Sequence, residues 1–366
     1  MSTFEVKVRK IEIFPHDNAD LLEIGKVDDY NVVVGKGLYK TGDLVAYIPI
    51  SSILPDTLIE EMNLVGKLAG SAKNRVKEIR LRKVLSQGLC LRAREGWMEG
   101  DDVAEQLGIT KYIPSVPAHM AGEWQRVIIH SQDKVESAID FKFDIENIKK
   151  FPYIFQDGED VTITEKIHGT FMCVGLMPND AHHPDMVDGQ YFVSSKGLAS
   201  RGIFLKDSEK NAGNVYIKTV KSEGFLDKVM KIALHCFVGD CYMTQPVWLV
   251  GEVFGAGVQD LRYGQEATSF RAFGIKAGNK WLDYDVFLKL CSEVGIETVP
   301  VVYRGPFSKD VVAALTNGAT IVGNGCHLRE GVVVCATKSE WNGGRKILKS
   351  VSEAYLFRKG EQTEYE

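Results

Sequence analysis

A chain of 366 residues that is 45% apolar and 25% charged has the composition of an ordinary globular protein with room for two domains, which excludes a disordered or fibrous one. A formal net charge of −5 excludes a uniformly basic surface, so any site for a polyanion must be a local patch. No run reaches membrane-spanning length, residues 1–10 lack the apolar core of a signal peptide, and the seven scattered cysteines contain no CxxC pair; a soluble, cytoplasmic protein with reduced thiols and no membrane partner is expected.

Residues 1–111 carry short β-branched runs at 6–14, 22–27, 31–34, 44–48, 77–84 and 88–91, separated by turn-forming residues at Asp28 and Asp29, Gly35 to Gly37, and Thr41 to Asp43. That rhythm predicts a small OB-like β-barrel of five strands. Within it, GKLAGSAKNRVKEIRLRK (66–83) sets Lys73, Arg75, Lys77, Arg80 and Arg82, with Lys67 and Lys83, against the single acid Glu78. Its second half alternates as a strand would, so several cations would share a face that tracks nucleic-acid phosphates; a solvated basic edge strand fits the same pattern.

Residues 112–139 lose periodicity around Pro114 and Pro117 and read as a linker, after which 140–366 form a different domain. Strands are expected at 161–165, 247–254, 271–275 and 331–335, and amphipathic helices at 222–237 and 284–294. With no regular βαβ alternation and no phosphate-loop signature, the class is α+β.

In this second domain the strand VTITEK runs into a glycine turn and presents Glu165, Lys166 and His168 at its end. A lysine so placed is a nucleophile if its amine is neutral, a state that burial or neighbouring cations favour; it is also an ordinary surface lysine. Further along, Arg201 sits in a Ser/Gly-rich segment suited to phosphate, Glu252 and Glu330 are carboxylates in apolar strands, and Arg345, Lys346 and Lys349 return cations near the end. Together these residue types describe a pocket.

The ordered set EKIHGT (165–170), SSKG (194–197) with SRG (200–202), GEVFG (251–255), QDLRYG (259–264), FRAFGI (270–275), EGVVV (330–334) and ILKSVS (347–352) resembles the covalent nucleotidyltransferases, specifically ATP-dependent RNA ligases of the RNA ligase 2 type. The resemblance spans about 140–356, and His168, where DNA ligases and capping enzymes usually have aspartate, points to the RNA branch. It implies an adenylyltransferase domain of antiparallel sheets with flanking helices. It also implies that Lys166 attacks the α-phosphate of ATP and carries AMP, which passes to an RNA 5′-phosphate before a 3′-hydroxyl expels it.

By the same resemblance Lys349 and Lys346 neutralise the α-phosphate and help keep Lys166 deprotonated. Glu330 holds Mg²⁺ or Mn²⁺, Glu252 and Arg201 bind ribose and phosphates, Phe273 stacks on adenine, and Glu165 and His168 complete the nucleotide site. Two departures stand out: the family usually spaces its last two lysines one residue apart, whereas Lys346 and Lys349 would point to opposite faces of a strand, and Gly274 stands where an aspartate is common. In the leading domain, FPHDNAD (14–20) with 37–49 resembles OB-type tRNA-binding modules and the leading domain of a smaller RNA ligase subgroup.

The implied partners are RNA 3′-hydroxyl and 5′-phosphate ends, at nicks in a duplex or RNA–DNA hybrid, with an end-healing enzyme preparing the termini and the ligase itself monomeric. The alternatives are a DNA ligase, a capping guanylyltransferase, or an RNA-binding protein that has kept a ligase-like fold without its chemistry.

Overall fold

The computed structural model describes residues 4–113, 122–126, 128–130, 136–177, 191–238, 246–341 and 344–358. The chain forms two compact units: residues 2–115 with 147–154 and 356–366, and residues 116–146 with 155–355.

In the first unit, strands Val8–Lys10, Leu44–Ile48 and Leu89–Arg92 make one antiparallel sheet with Leu44–Ile48 in the middle, and Glu12–Pro15, Leu22–Val27 and Tyr30–Gly35 make another. The run LVAYI is apolar throughout because both its faces are covered: Val45 and Tyr47 join Ile11, Val27 and Val32, while Ala46 and Ile48 join Val8, Leu54 and Leu58. The expected strand over 77–84 is instead a hairpin of Ile79–Leu81 and Val84–Ser86, because Arg82 and Lys83 both take positive φ and turn the chain. The cations of this segment therefore do not share one strand face. Arg75 lies over the Tyr112 ring, 4.3 Å from its centroid, and Arg80 over Phe357 at 3.9 Å.

The second unit is α+β and holds two antiparallel sheets. One orders strands Gly344–Val351, Gly331–Trp341, Asp160–Lys166 and Val301–Pro306; the other orders Tyr191–Ser194, Thr170–Leu176, Val247–Gly255, Thr268–Ala277 and Lys280–Trp281. Helices Phe225–Val238 and Tyr284–Val294 cover the second sheet, bringing Val229, Ile232, Phe287 and Leu290 against Val174, Leu249 and Ile275. The opposite face of that sheet buries Cys173, Phe192, Trp248 and Val250 against Phe141 and Phe204, so its strands read as continuous apolar runs. The first helix begins at Phe225, not at the expected 222, because Gly224 at φ 68° ends a turn before it.

Between the sheets the chain crosses in three residues, Ile167, His168 and Gly169, from the end of Asp160–Lys166 to the start of Thr170–Leu176. A Cβ on Gly169 would lie 2.3 Å from the Val253 carbonyl oxygen, so this crossing admits only glycine. It leaves Lys166 at a strand end beside the space between the sheets.

Candidate active site

That space is a cavity of about 230 Å³. Lys166, Thr164, Val333, Cys335, Ile347 and Lys349 line it from one sheet, Phe171, Glu252 and Phe273 from the other, and Phe143, Asp144, Lys196, Tyr284 and Arg345 complete its wall.

Lys166 pairs with Gly331 across the antiparallel ladder, which sets the preceding residue, Glu330, opposite the amine: Nζ lies 2.8 Å from Oε1. Burial disfavours the charged amine, but the carboxylates of Glu330 and Glu252 outweigh it and raise the Lys166 pKa above the ordinary lysine value. The depressed lysine is its neighbour. Burial, and then the charges of Lys166 and Lys196, push Lys349 down to about 8. Glu252 is pushed up to about 8, chiefly by burial, with Lys166 opposing and Glu330 reinforcing the shift. Neighbouring cations are expected to lower the Lys166 pKa; in the free protein Glu330, and after it Glu252, raise it.

Alternation along Gly344–Val351 sends Arg345, Ile347 and Lys349 to the cavity and Lys346 to the other face. Lys346 is buried there with Glu159, at 2.6 and 2.9 Å, 5.0 Å from the Phe155 ring centroid. Gly274 has a physical reason as well, since a Cβ would lie 2.9 Å from Trp281 and 3.0 Å from an Arg345 guanidinium nitrogen. Glycine there gives the two side chains room.

Glu165 also lines the cavity, but its carboxylate is held in a buried clasp. It accepts hydrogen bonds from the Thr320 hydroxyl and, at 2.8 Å, from the Ile321 backbone N–H, with Arg329 Nε 3.7 Å away. It fixes the 320–329 segment that leads into Glu330. His168 is held on both sides: Nε2 is 2.8 Å from Asp260 Oδ1 and Nδ1 is 2.6 Å from the Tyr355 hydroxyl. One neutral tautomer satisfies both contacts, with Nε2–H donating to the carboxylate and the tyrosine hydroxyl donating to Nδ1.

Phe273 stacks on Phe143 with ring centroids 5.6 Å apart and lies 5.9 Å from Phe171. Arg201 is exposed, donates from Nε to the Gly197 carbonyl at 3.2 Å, and does not line the cavity. Lys196, from the SSKG segment, takes that place and pairs with Asp144 at 2.7 Å. Sequence reasoning gives no role to Lys196, Asp144, Asp260, Tyr355 or Tyr284. The first and third lie inside recognisable motifs, and the other three give no signal before the chain is folded. Of Lys73, Arg75, Lys77, Arg80 and Arg82, none belongs to this cavity.

Among the described residues no three His, Cys, Asp or Glu side chains gather as a metal cluster, and the described cysteines are free thiols. No described helix is long and apolar enough to cross a membrane.

A family model described as RNA ligase matches residues 159–351, and a model of an OB-fold domain matches residues 5–93. A search of curated proteins found no match. Among solved structures, an RNA ligase of Naegleria gruberi with PPi is similar at TM-score 0.73 and 22% identity, covering 97% of this chain and 98% of that one. A variant of it in apo form gives 0.75 at 22% identity over 99% and 100%, and a variant with ATP and Mn gives 0.74 at 22% over 96% and 98%. The expected order of an OB-fold domain followed by a sheet-rich α+β domain agrees with these matches.

Proposed function

Because the chain belongs to the RNA ligase family, we propose that it joins RNA 3′-hydroxyl and 5′-phosphate ends at the expense of ATP, carrying AMP on Lys166. The observation that supports this most is the position of the Lys166 amine, at a cavity wall 2.8 Å from Glu330 with the cation Lys349 beside it. ATP, and Mn among the divalent ions, accompany the Naegleria ligase in the similar structures.

In the first step the Lys166 nitrogen forms a bond to the α-phosphorus of ATP, the bond to pyrophosphate breaks, and the amine gives up its proton. In the second, an RNA 5′-phosphate oxygen takes the AMP and Lys166 is released. In the third, the 3′-hydroxyl attacks that 5′-phosphate, AMP leaves, and the hydroxyl proton is lost. Each is a phosphoryl transfer in which positioning and charge neutralisation carry the catalysis. Lys349 supplies a positive charge toward the α-phosphate, and Lys196 a second. Phe273 offers a flat face to the base.

A divalent cation fits Glu330 and Glu252, two largely buried carboxylates whose mutual repulsion contributes to the raised pKa of Glu252. Bound there, Mg²⁺ or Mn²⁺ would supply positive charge at the reacting phosphate. Glu330, which would help hold that cation, is also the main support of the proton on Lys166.

We extend the reading to nicked duplex RNA or an RNA–DNA hybrid as substrate, gripped in part by the OB-fold unit through Lys73, Lys77 and Arg82. The termini come from an end-healing enzyme, and the ligase works as a cytoplasmic monomer. The test is a sealing assay on nicked duplex, hybrid and single-stranded RNA: joined product that requires ATP and vanishes in Lys166→Ala supports the reading. An adenylylated protein that joins none of these ends would contradict it.

A further inference from the structure

One buried polar group of the cavity takes no part in these steps. Tyr284, the first residue of helix Tyr284–Val294, is 5% exposed and lines the cavity, and its hydroxyl has no hydrogen-bond partner among the described residues. Leaving a buried hydroxyl unpaired costs free energy, and such a group in a cavity wall is suited to a ligand. Nothing in the fold needs the oxygen, because the ring alone packs on Phe287 at 5.5 Å.

Strand register says which end of a ligand Tyr284 would meet. Lys166 is level with Gly331, and Cys335 lies four residues further along the same strand, about 13 Å at roughly 3.3 Å per residue. Tyr284 belongs to that far end: Arg345 Cζ is 5.8 Å from its ring centroid, and Cys335 and Arg345 are among the groups that act on its hydroxyl. Phe273 and Phe171 line the same cavity, and Gly274, next to Phe273, lies close to the Arg345 guanidinium, a Cβ there falling 3.0 Å from it. A nucleotide with its α-phosphate at Lys166 and Lys349, and its base against Phe273, extends its base edge toward Tyr284.

We propose that Tyr284 is a specificity-determining residue whose hydroxyl reads the edge of the nucleobase, accepting a hydrogen bond from the exocyclic 6-amino group of adenine. A hydroxyl both donates and accepts, so it can receive the amino group and still donate to a neighbouring acceptor. The proposal rests on reading the cavity as the ATP site.

The experiment compares wild type and Tyr284→Phe with ATP and with purine riboside triphosphate, which lacks the 6-amino group, reading both nucleotide affinity and label transferred to protein. In wild type, ATP binds about tenfold more tightly than the amino-less analogue, the size expected when one buried polar group is deprived of its partner. In Tyr284→Phe that preference collapses to near unity, while the free variant melts no lower than wild type because the hydroxyl serves nothing in the free protein. A Tyr284→Phe protein that keeps the full preference for ATP overturns the proposal and leaves the ligase reading intact. Wild-type protein that binds and transfers neither nucleotide overturns both. A free variant that melts several degrees lower shows the hydroxyl serving the fold and also overturns it.

Discussion

Lys166 Nζ and Glu330 Oε1 lie 2.8 Å apart, and the antiparallel register of Lys166 with Gly331 holds them there. The pair keeps the amine protonated in the free protein. Glu330→Ala should therefore have two opposite effects: adenylation at saturating ATP falls by about 100-fold, as when one charge-stabilising group is removed, while the Lys166 pKa drops and its labelling by an amine-directed reagent at fixed pH rises. Adenylation at the wild-type rate in both Mg²⁺ and Mn²⁺ would remove Glu330 from the chemistry.

The two lysines of the last strand should separate cleanly. Lys349→Ala is expected to slow adenylation by about 100-fold with little change in melting temperature. Lys346→Ala takes away the cation that Glu159 meets beside Phe155 and should cost about 3 kcal/mol of stability, while the folded fraction adenylates normally. Denaturant titration beside an adenylation assay distinguishes the two; equal catalytic defects would contradict the opposite-face geometry.

The depressed Lys349 pKa gives a pH dependence. In the free protein this amine is charged below about 8 and neutral above it, so the part of ATP affinity that depends on its charge is fully present below about 8 and falls as pH rises above it. An arginine stays charged throughout this range, so Lys349→Arg should remove the alkaline fall in calorimetric titrations spanning neutral to alkaline pH. Parallel curves for the two proteins would assign the fall to another group.

His168 is fixed by Asp260 on one nitrogen and Tyr355 on the other. Tyr355→Phe deletes the hydroxyl hydrogen-bonded to Nδ1 and should lower stability by about 1–3 kcal/mol, read from chemical denaturation. A smaller effect would mean that the ring finds a substitute donor on relaxing.

For the basic segment of the first unit, replacing Lys73, Lys77 and Arg82 with neutral residues should weaken RNA binding and lower the slope of log affinity against log salt by roughly 1 for each phosphate no longer neutralised. Adenylation of Lys166 should not change. Arg75 and Arg80 are poor choices for this test because their stacking on Tyr112 and Phe357 adds packing to charge. An unchanged slope would make the segment a solvated edge.

Much of this is legible in the sequence because period and order survive in one dimension. The VTITEK alternation locates the strand that ends in Lys166, and the spacing of Lys346 and Lys349 already implies opposite faces. What the sequence hides depends on pairing. Glu330 reaches Lys166 only through inter-strand register, Tyr355 meets His168 across 187 residues, and Glu165 is claimed by Thr320 and Ile321 from a distant loop. The hairpin at Arg82 and Lys83 escapes for a local reason: neither residue type advertises positive φ.

Everything proposed for the cavity depends on covalent AMP at Lys166. Protein first shown to be free of nucleotide is incubated with ATP, and separately with GTP, in Mg²⁺ or Mn²⁺, then digested and the adduct mapped by mass. One AMP from ATP should appear on the peptide bearing Lys166 and be absent in Lys166→Ala. An adduct from GTP alone, on another residue, or from neither nucleotide would contradict the ligase reading.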